Sequence, residues 1–188
     1  MITSLDKNTA LVLIDLQNGI VNLPLPAPVA PIIENSATLA TAFRKAGQPV
    51  VVVNLDPATN PLNALRKEAK QPAGGELPAE WFAIVPQIGV TGSDICITKN
   101  SWSAFINPDL HAALQNKGVT GIVLAGVATS IGVEGTARAA AEKGYNISFA
   151  TDAMMDMFAE AHDHSLKYIF PRLGELGTTQ EIIKKLEE

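Results

Sequence analysis

Cysteine is almost missing from this chain: Cys96 is the single one in 188 residues. One thiol excludes an intramolecular disulfide and any multi-cysteine metal site, and it suits a reducing compartment. Histidine is scarce as well, with three in all and none before His111. Positive charge is in deficit, 14 Lys and Arg against 19 Asp and Glu, for a net charge of −5. That balance excludes a broad electrostatic footprint for nucleic acid or anionic lipid. Long apolar runs are absent too. The run at residues 10–14 is stopped by Asp15, too soon for a membrane span or the apolar segment of a signal peptide. No targeting segment, internal repeat, low-complexity tract or block of like charge is visible. A cytoplasmic protein is expected, with no membrane and no nucleic-acid partner.

What is present is apolar. Hydrophobic residues make up 47% and charged residues 18%, a composition that excludes an intrinsically disordered chain. A chain of this length forms one domain, spanning residues 1–188, and folding buries about 70% of its surface. That core needs no disulfide or structural metal. The apolar richness points to a homo-oligomer, a dimer or higher, that buries more surface still.

Short apolar runs alternate with amphipathic stretches. Residues 10–14 read as a strand buried on both faces, followed by a Pro-rich loop through Pro31. Ile32, Ser36, Leu39, Phe43 and Ala46 recur at helical spacing, and Gly47 with Pro49 ends that helix. Residues 49–53 form the second strand and residues 94–98 the third, ending at Lys99. Asn107 and Pro108 open a helix that Gly118 closes. Residues 121–125 form a fourth strand. An Ala-rich helix spans residues 130–143, a fifth strand residues 145–150, a helix residues 159–169, and a short strand residues 174–176. Thr178 and Glu181 make a capping box for the last helix. Alternating strands and helices predict a parallel sheet covered on both faces. The expected fold is α/β, a three-layer Rossmann-like arrangement with a six-stranded parallel sheet in the order 3-2-1-4-5-6.

Residues 55–90 break the rhythm. They carry Pro57, Pro61, Pro72, Pro78 and Pro86 with Gly74 and Gly75, and one short helix fits at residues 63–71. So long an excursion between strands is a lid, a subunit contact or both. A solvated surface loop is the alternative, and the adjacent Trp81 and Phe82 argue against it.

In an open parallel sheet, ligands bind beyond the carboxyl ends of the strands. Asp15, Lys99 and the turn at residues 126–132 all fall there. That turn feeds a helix, so its N–H groups offer an anion or oxyanion site. It is neither a dinucleotide nor a Walker loop. Each feature alone has a bland reading, Asp15 as a cap or ion-pair partner and Lys99 as a surface cation. Their conjunction at one sheet edge marks the candidate site.

Leu13-Ile14-Asp15-Leu16-Gln17, then Thr98-Lys99 with Trp102 and Phe105, then the stretch from Leu124 through Gly126 and Gly132 to Arg138, and finally Tyr168 to Arg172, resemble the isochorismatase-like hydrolase superfamily. The match is in order over nearly the whole chain. It implies a six-stranded Rossmann-like sheet and a catalytic Asp, Lys and Cys. These map to Asp15, Lys99 and Gly132, so glycine stands where the family's usual nucleophile would be. The resemblance also implies a pocket walled by Gln17, Trp102, Phe105, Val127, Ala128 and Ile131, with core packing an equal alternative for Phe105. It further implies a cis peptide at Val127–Ala128, whose Ala128 N–H would join that of Gly132 as an oxyanion site.

Without a thiol at position 132 the thioester route is closed. Cys96 reads as a buried packing residue. Thr129 and Ser130 are hydroxyls near the vacant position, but the sequence places no histidine to activate them, and capping the next helix is their expected role. Nicotinamidases in the family carry a metal set of one Asp and two His after the second strand. Here that segment offers Asp56 and no histidine. His162 and His164, two apart, point to different sides of a helix, and His162 is expected to shape the sheet edge or cap its helix. Neither metal nor cofactor is expected. Isochorismatase itself resembles this chain in lacking the Cys, and hydrolyses a vinyl ether through a carboxylic acid. Asp15 would be that acid. Burial raises its pKa and Lys99 lowers it, with the sequence leaving the outcome open. Two functions stand: a Cys-less hydrolase of a small, anionic metabolite, or a catalytically lapsed member serving as a metabolite-binding or interaction subunit. Retention of both Asp15 and Lys99 favours the enzyme.

Overall fold

The computed structural model describes residues 1–68 and 76–188. Among these, six strands form one sheet: β1 (Thr9–Ile14), β2 (Val50–Leu55), β3 (Ile95–Lys99), β4 (Gly121–Val127), β5 (Asn146–Met155) and β6 (Glu175–Gly177). All neighbours pair in parallel, in the order β3-β2-β1-β4-β5-β6. The alternation of elements predicts the parallel pairing, and the order is the expected 3-2-1-4-5-6. The helices are α1 (Asn18–Val21), α2 (Ala30–Lys45), α3 (Ala79–Phe82), α4 (Pro108–Asn116), α5 (Glu134–Glu142), α6 (Ala159–His164) and α7 (Thr179–Leu186).

Successive strand residues point to opposite faces, and each face has its own core. Leu11, Leu13, Val50 and Val52 pack with Leu39 and Phe43 of α2 and Ile182 of α7. Val12, Ile14, Val51 and Val53 pack with Leu110 and Leu114 of α4 and Ala137 and Ala140 of α5. β1 and β4 are buried at every position. A strand covered on both faces has no polar side to alternate with, hence the unbroken apolar runs. No helix among the described residues is long and apolar enough to cross a membrane.

Several boundaries differ from the sequence reading. α2 starts at Ala30, inside the expected Pro-rich loop, because Pro31 sits in its first turn, where no N–H is needed. The Ala-rich helix opens not at Ser130 but at Glu134, after a π-turn over Thr129–Val133. The helix expected over residues 159–169 is α6, followed by a π-turn over Ser165–Ile169 and a 3₁₀ turn that holds Pro171. β5 runs on past residue 150 to Met155. The Thr178–Glu181 capping box is fully formed.

Cys96 is exposed, contrary to the expected packing role. β3 is an edge strand, and Ile97 and Lys99 turn inward while Cys96 and Thr98 face out. Cover on one side only makes alternate residues of such a strand solvent-facing.

Between β2 and β3 the chain makes 3₁₀ turns at Pro57–Thr59 and Pro61–Ala64, then α3, then a 3₁₀ turn at Pro86–Ile88. Residues 65–68 are not helical. The rest of the helix expected at 63–71, with Pro72, Gly74 and Gly75, lies outside the described residues. The return limb is docked. Trp81 lies over Gly19 so closely that a Cβ there would fall inside its ring, and Ile84 bridges to Gln17.

Candidate active site

β1 and β4 lie side by side with Ile14 opposite Gly126, so Asp15, just past β1, and Val127, the last residue of β4, lie at one edge of the sheet. This is the point where strand order reverses, the usual ligand crevice of such sheets. Gly126 has a φ of 120°, and a Cβ there would run into the Ile14 carbonyl. Only glycine permits that approach. Asp15 itself has a φ of 53°, a left-handed conformation uncommon outside glycine. Its N–H donates to the Val53 carbonyl at 3.0 Å.

Lys99 closes β3, and its Nζ lies 2.7 Å from Asp15 Oδ2. The same ammonium donates to the Ser101 carbonyl at 2.9 Å. Both side chains are buried, Asp15 4% and Lys99 2% exposed. Asp15 Oδ1 is buried with no hydrogen-bond partner among the described residues. Burial pushes the Asp15 carboxyl up from 3.8 to about 6, against the opposing pull of the Lys99 ammonium. The conflict left open by the sequence is thus decided for burial.

Gly132 faces this pair. A Cβ on it would stand 3.3 Å from Asp15 Oδ2 and 3.7 Å from Lys99 Nζ, but 2.8 Å from Ile14 Cγ2. The backbone has closed onto a β-branched neighbour, so the position is packed for glycine. Asp15, Lys99 and Gly132 share a cavity of about 180 Å³. Trp102, Val127, Ala128 and Ile131 line it as well. The Val127–Ala128 peptide is cis.

Two expected pocket residues lie elsewhere. Gln17 is fully buried and its amide serves the backbone. Its Nε2 donates to the carbonyls of Leu55 and Trp81, and its Oε1 accepts from Leu55 N–H at 2.6 Å. It ties the excursion to β1. Phe105 stacks on Tyr145 at 5.8 Å and meets His111 edge-on, the packing alternative for this ring. Its place on the turn before α4 aims it at α4 and Tyr145 instead of the sheet edge.

The hydroxyls also need correction. His162 Nδ1 is 2.8 Å from Thr129 Oγ1, so the fold supplies a histidine that sequence distance hides. Thr129 is nevertheless fully buried and outside the cavity lining. Neither Thr129 nor Ser130 caps the turn by its side chain; Asp156 Oδ2 accepts the Ser130 N–H instead. Asp56 caps the 3₁₀ turn after β2 through Ala58 N–H. Among the described residues no three His, Cys, Asp or Glu side chains converge.

Sequence reasoning missed Ile20, Leu23, Leu55, Asn60, Ser101 and Met157, which complete the lining. Leu55 carried a usable signal, since it ends a strand at the ligand edge. Met157 follows β5 at the same edge, hidden because that strand runs longer than its apolar run.

The isochorismatase domain model matches residues 9–181, and the chain belongs to the isochorismatase family. It is 41% identical over 184 residues to the uncharacterized isochorismatase family protein YwoC of Bacillus subtilis, covering 96% of this chain and 95% of that one. It is 39% identical to the uncharacterized family protein YecD of Escherichia coli O157:H7, covering 96% and 97%. The solved structure of an isochorismatase family protein from Burkholderia thailandensis superposes with a TM-score of 0.90 at 39% identity, covering all of both chains. As a member of this family the protein is a hydrolase.

Proposed function

We propose that this hydrolase acts on a small metabolite by acid chemistry at Asp15, without a protein nucleophile, and that vinyl ether hydrolysis is its reaction. One observation carries the reading: a buried carboxyl with a pKa of about 6 and one unpartnered oxygen lines the same cavity as Gly132. A group of that pKa holds its proton for part of the time near neutrality and can still give it up. Lys99 occupies Oδ2, which leaves Oδ1 to carry the proton.

The steps balance. Asp15 Oδ1–H gives its proton to the terminal carbon of the enol ether, and the C=C pair forms the new C–H bond. The oxocarbenium so formed takes up water, whose released proton returns to Asp15. The hemiketal then breaks its C–O bond to yield a carbonyl compound and an alcohol. Lys99 and the Ser101 carbonyl orient the acid throughout. The proposed setting is the cytoplasm and the proposed assembly a homo-oligomer, for which the exposed Leu23, Trp102 and Phe158 supply apolar surface.

The test is hydrolysis of simple vinyl ethers in D₂O, followed by NMR. The expected product carries one deuterium on the carbon beside the new carbonyl at early times, and Asp15→Asn slows its formation by about 10²–10⁴-fold. Hydrolysis at the parent rate in Asp15→Asn removes Asp15 from the reaction. A protein that binds these ethers and turns none over is a lapsed member.

A further inference from the structure

The sequence suggested an anionic substrate, but the charges around the cavity oppose it. Among the described residues, Asp15 and Lys99 are the only formally charged ones that line it, and they pair with each other at 2.7 Å. The ammonium also serves the Ser101 carbonyl, so two of its three protons are spoken for. Arg66 and Lys67, on the excursion between β2 and β3, are exposed and outside the lining. A substrate carboxylate would have to compete with Asp15 for Lys99 and would stand against the unpartnered Oδ1. Burying an anion without its own cation is strongly unfavourable.

The remaining walls are mostly apolar. Ile20, Leu23, Leu55, Trp102, Ile131 and Met157 line the cavity. Polar side chains besides the ion pair come from Asn60 and Ser101. The Asn60 carbonyl oxygen already accepts from Leu62 N–H, so its NH₂ is what it can offer. A volume of about 180 Å³ is below the roughly 300–1,000 Å³ of pockets for drug-sized ligands, which favours a small molecule. We infer that the substrate is a compact, uncharged molecule with an apolar body and one or two neutral polar groups, not a carboxylate. This rests on the proposed acid chemistry only for the bond that breaks; the preference for a neutral ligand follows from the lining alone.

The test compares two enol ethers of nearly equal size, 3,4-dihydro-2H-pyran-2-methanol and 3,4-dihydro-2H-pyran-2-carboxylate. Binding to the whole protein is measured by calorimetry at pH 7.5 and low salt, and turnover is followed separately by NMR. The alcohol is expected to bind at least tenfold more tightly. Leu23→Arg, at a partly exposed lining position, is expected to improve carboxylate binding at least tenfold. Equal or tighter binding of the carboxylate by the unaltered protein overturns the inference, as does failure of both to bind. A Leu23→Arg protein that is folded by circular dichroism and gains nothing for the carboxylate places the ligand elsewhere and also overturns it. Tight binding of the alcohol without turnover leaves the neutral-ligand inference standing and refutes the vinyl ether reaction instead.

Discussion

Asp15 is held in three unfavourable states at once: a positive φ, near-complete burial and an oxygen without a partner. Native folds keep such strain where function uses it. If Asp15 is the acid, kcat/KM is flat below about pH 6 and falls tenfold per unit above it. Lys99→Met moves that fall to higher pH, since the ammonium lowers the Asp15 pKa. A rate that rises with pH would show Asp15 acting as a base. Asp15→Asn is expected to reduce kcat/KM by about 10²–10⁴-fold. It also changes the stability profile. A carboxyl raised from 3.8 to about 6 holds its proton more tightly folded than unfolded. Its contribution is full below the unfolded value and is lost as pH rises through the folded one. Urea denaturation from pH 4 to 7 is expected to show that loss in the parent and not in Asp15→Asn. Gly132→Ala gives a different signal. Its Cβ presses on Ile14 Cγ2, and overpacking of this kind destabilises by about 1–3 kcal/mol. A urea midpoint unchanged in Gly132→Ala would mean that the site has open room for a side chain.

Elements were legible in the sequence to the degree that one local rule governed them. β1 and β4 are apolar throughout because both sheet faces are covered, and a run such as residues 10–14 announces that directly. The capping box of α7 is also local, two side chains three residues apart. What stayed hidden depends on partners distant in sequence. Thr129 meets His162 across 33 residues, and no spacing rule reaches that far. Gln17 shows the same limit. It lies in the motif beside Asp15, yet its amide reaches Leu55 and Trp81 and fastens both limbs of the excursion. Gln17→Ala removes those bonds and leaves partly buried backbone groups of Leu55 and Trp81 short of a partner, at about 1 kcal/mol for each bond lost. The expected result is faster proteolytic cleavage within residues 56–82 and a lower melting temperature, with far-ultraviolet circular dichroism unchanged. Cleavage at the parent rate would mean that Trp81 over Gly19 and the bonds from Asn18 to Ala83 and from Val85 to Leu16 hold the limb without Gln17.

At the scale of the molecule, the sheet separates chemistry from accident. The candidate site lies past the carboxyl ends of β1, β3 and β4, a location that alternation of strands and helices was enough to predict once the order 3-2-1-4-5-6 held. The single thiol lies outside it. Cys96 is three residues before Lys99 on β3, but strand alternation sends the two side chains to opposite faces, Lys99 inward to Asp15 and Cys96 outward to solvent. Sequence alone placed Cys96 in the core, because nothing local distinguishes an edge strand from a central one. Exposure now gives a clean experiment, since the thiol can be modified in the folded protein. Iodoacetamide is expected to add one carbamidomethyl group per chain, read by intact mass, while hydrolytic activity stays within twofold of the untreated protein. A hydrolase that used its cysteine as nucleophile would lose activity in proportion to labelling. Proportional loss here would overturn the thiol-free reading and force Cys96 into the reaction, against its position on the far face of the sheet.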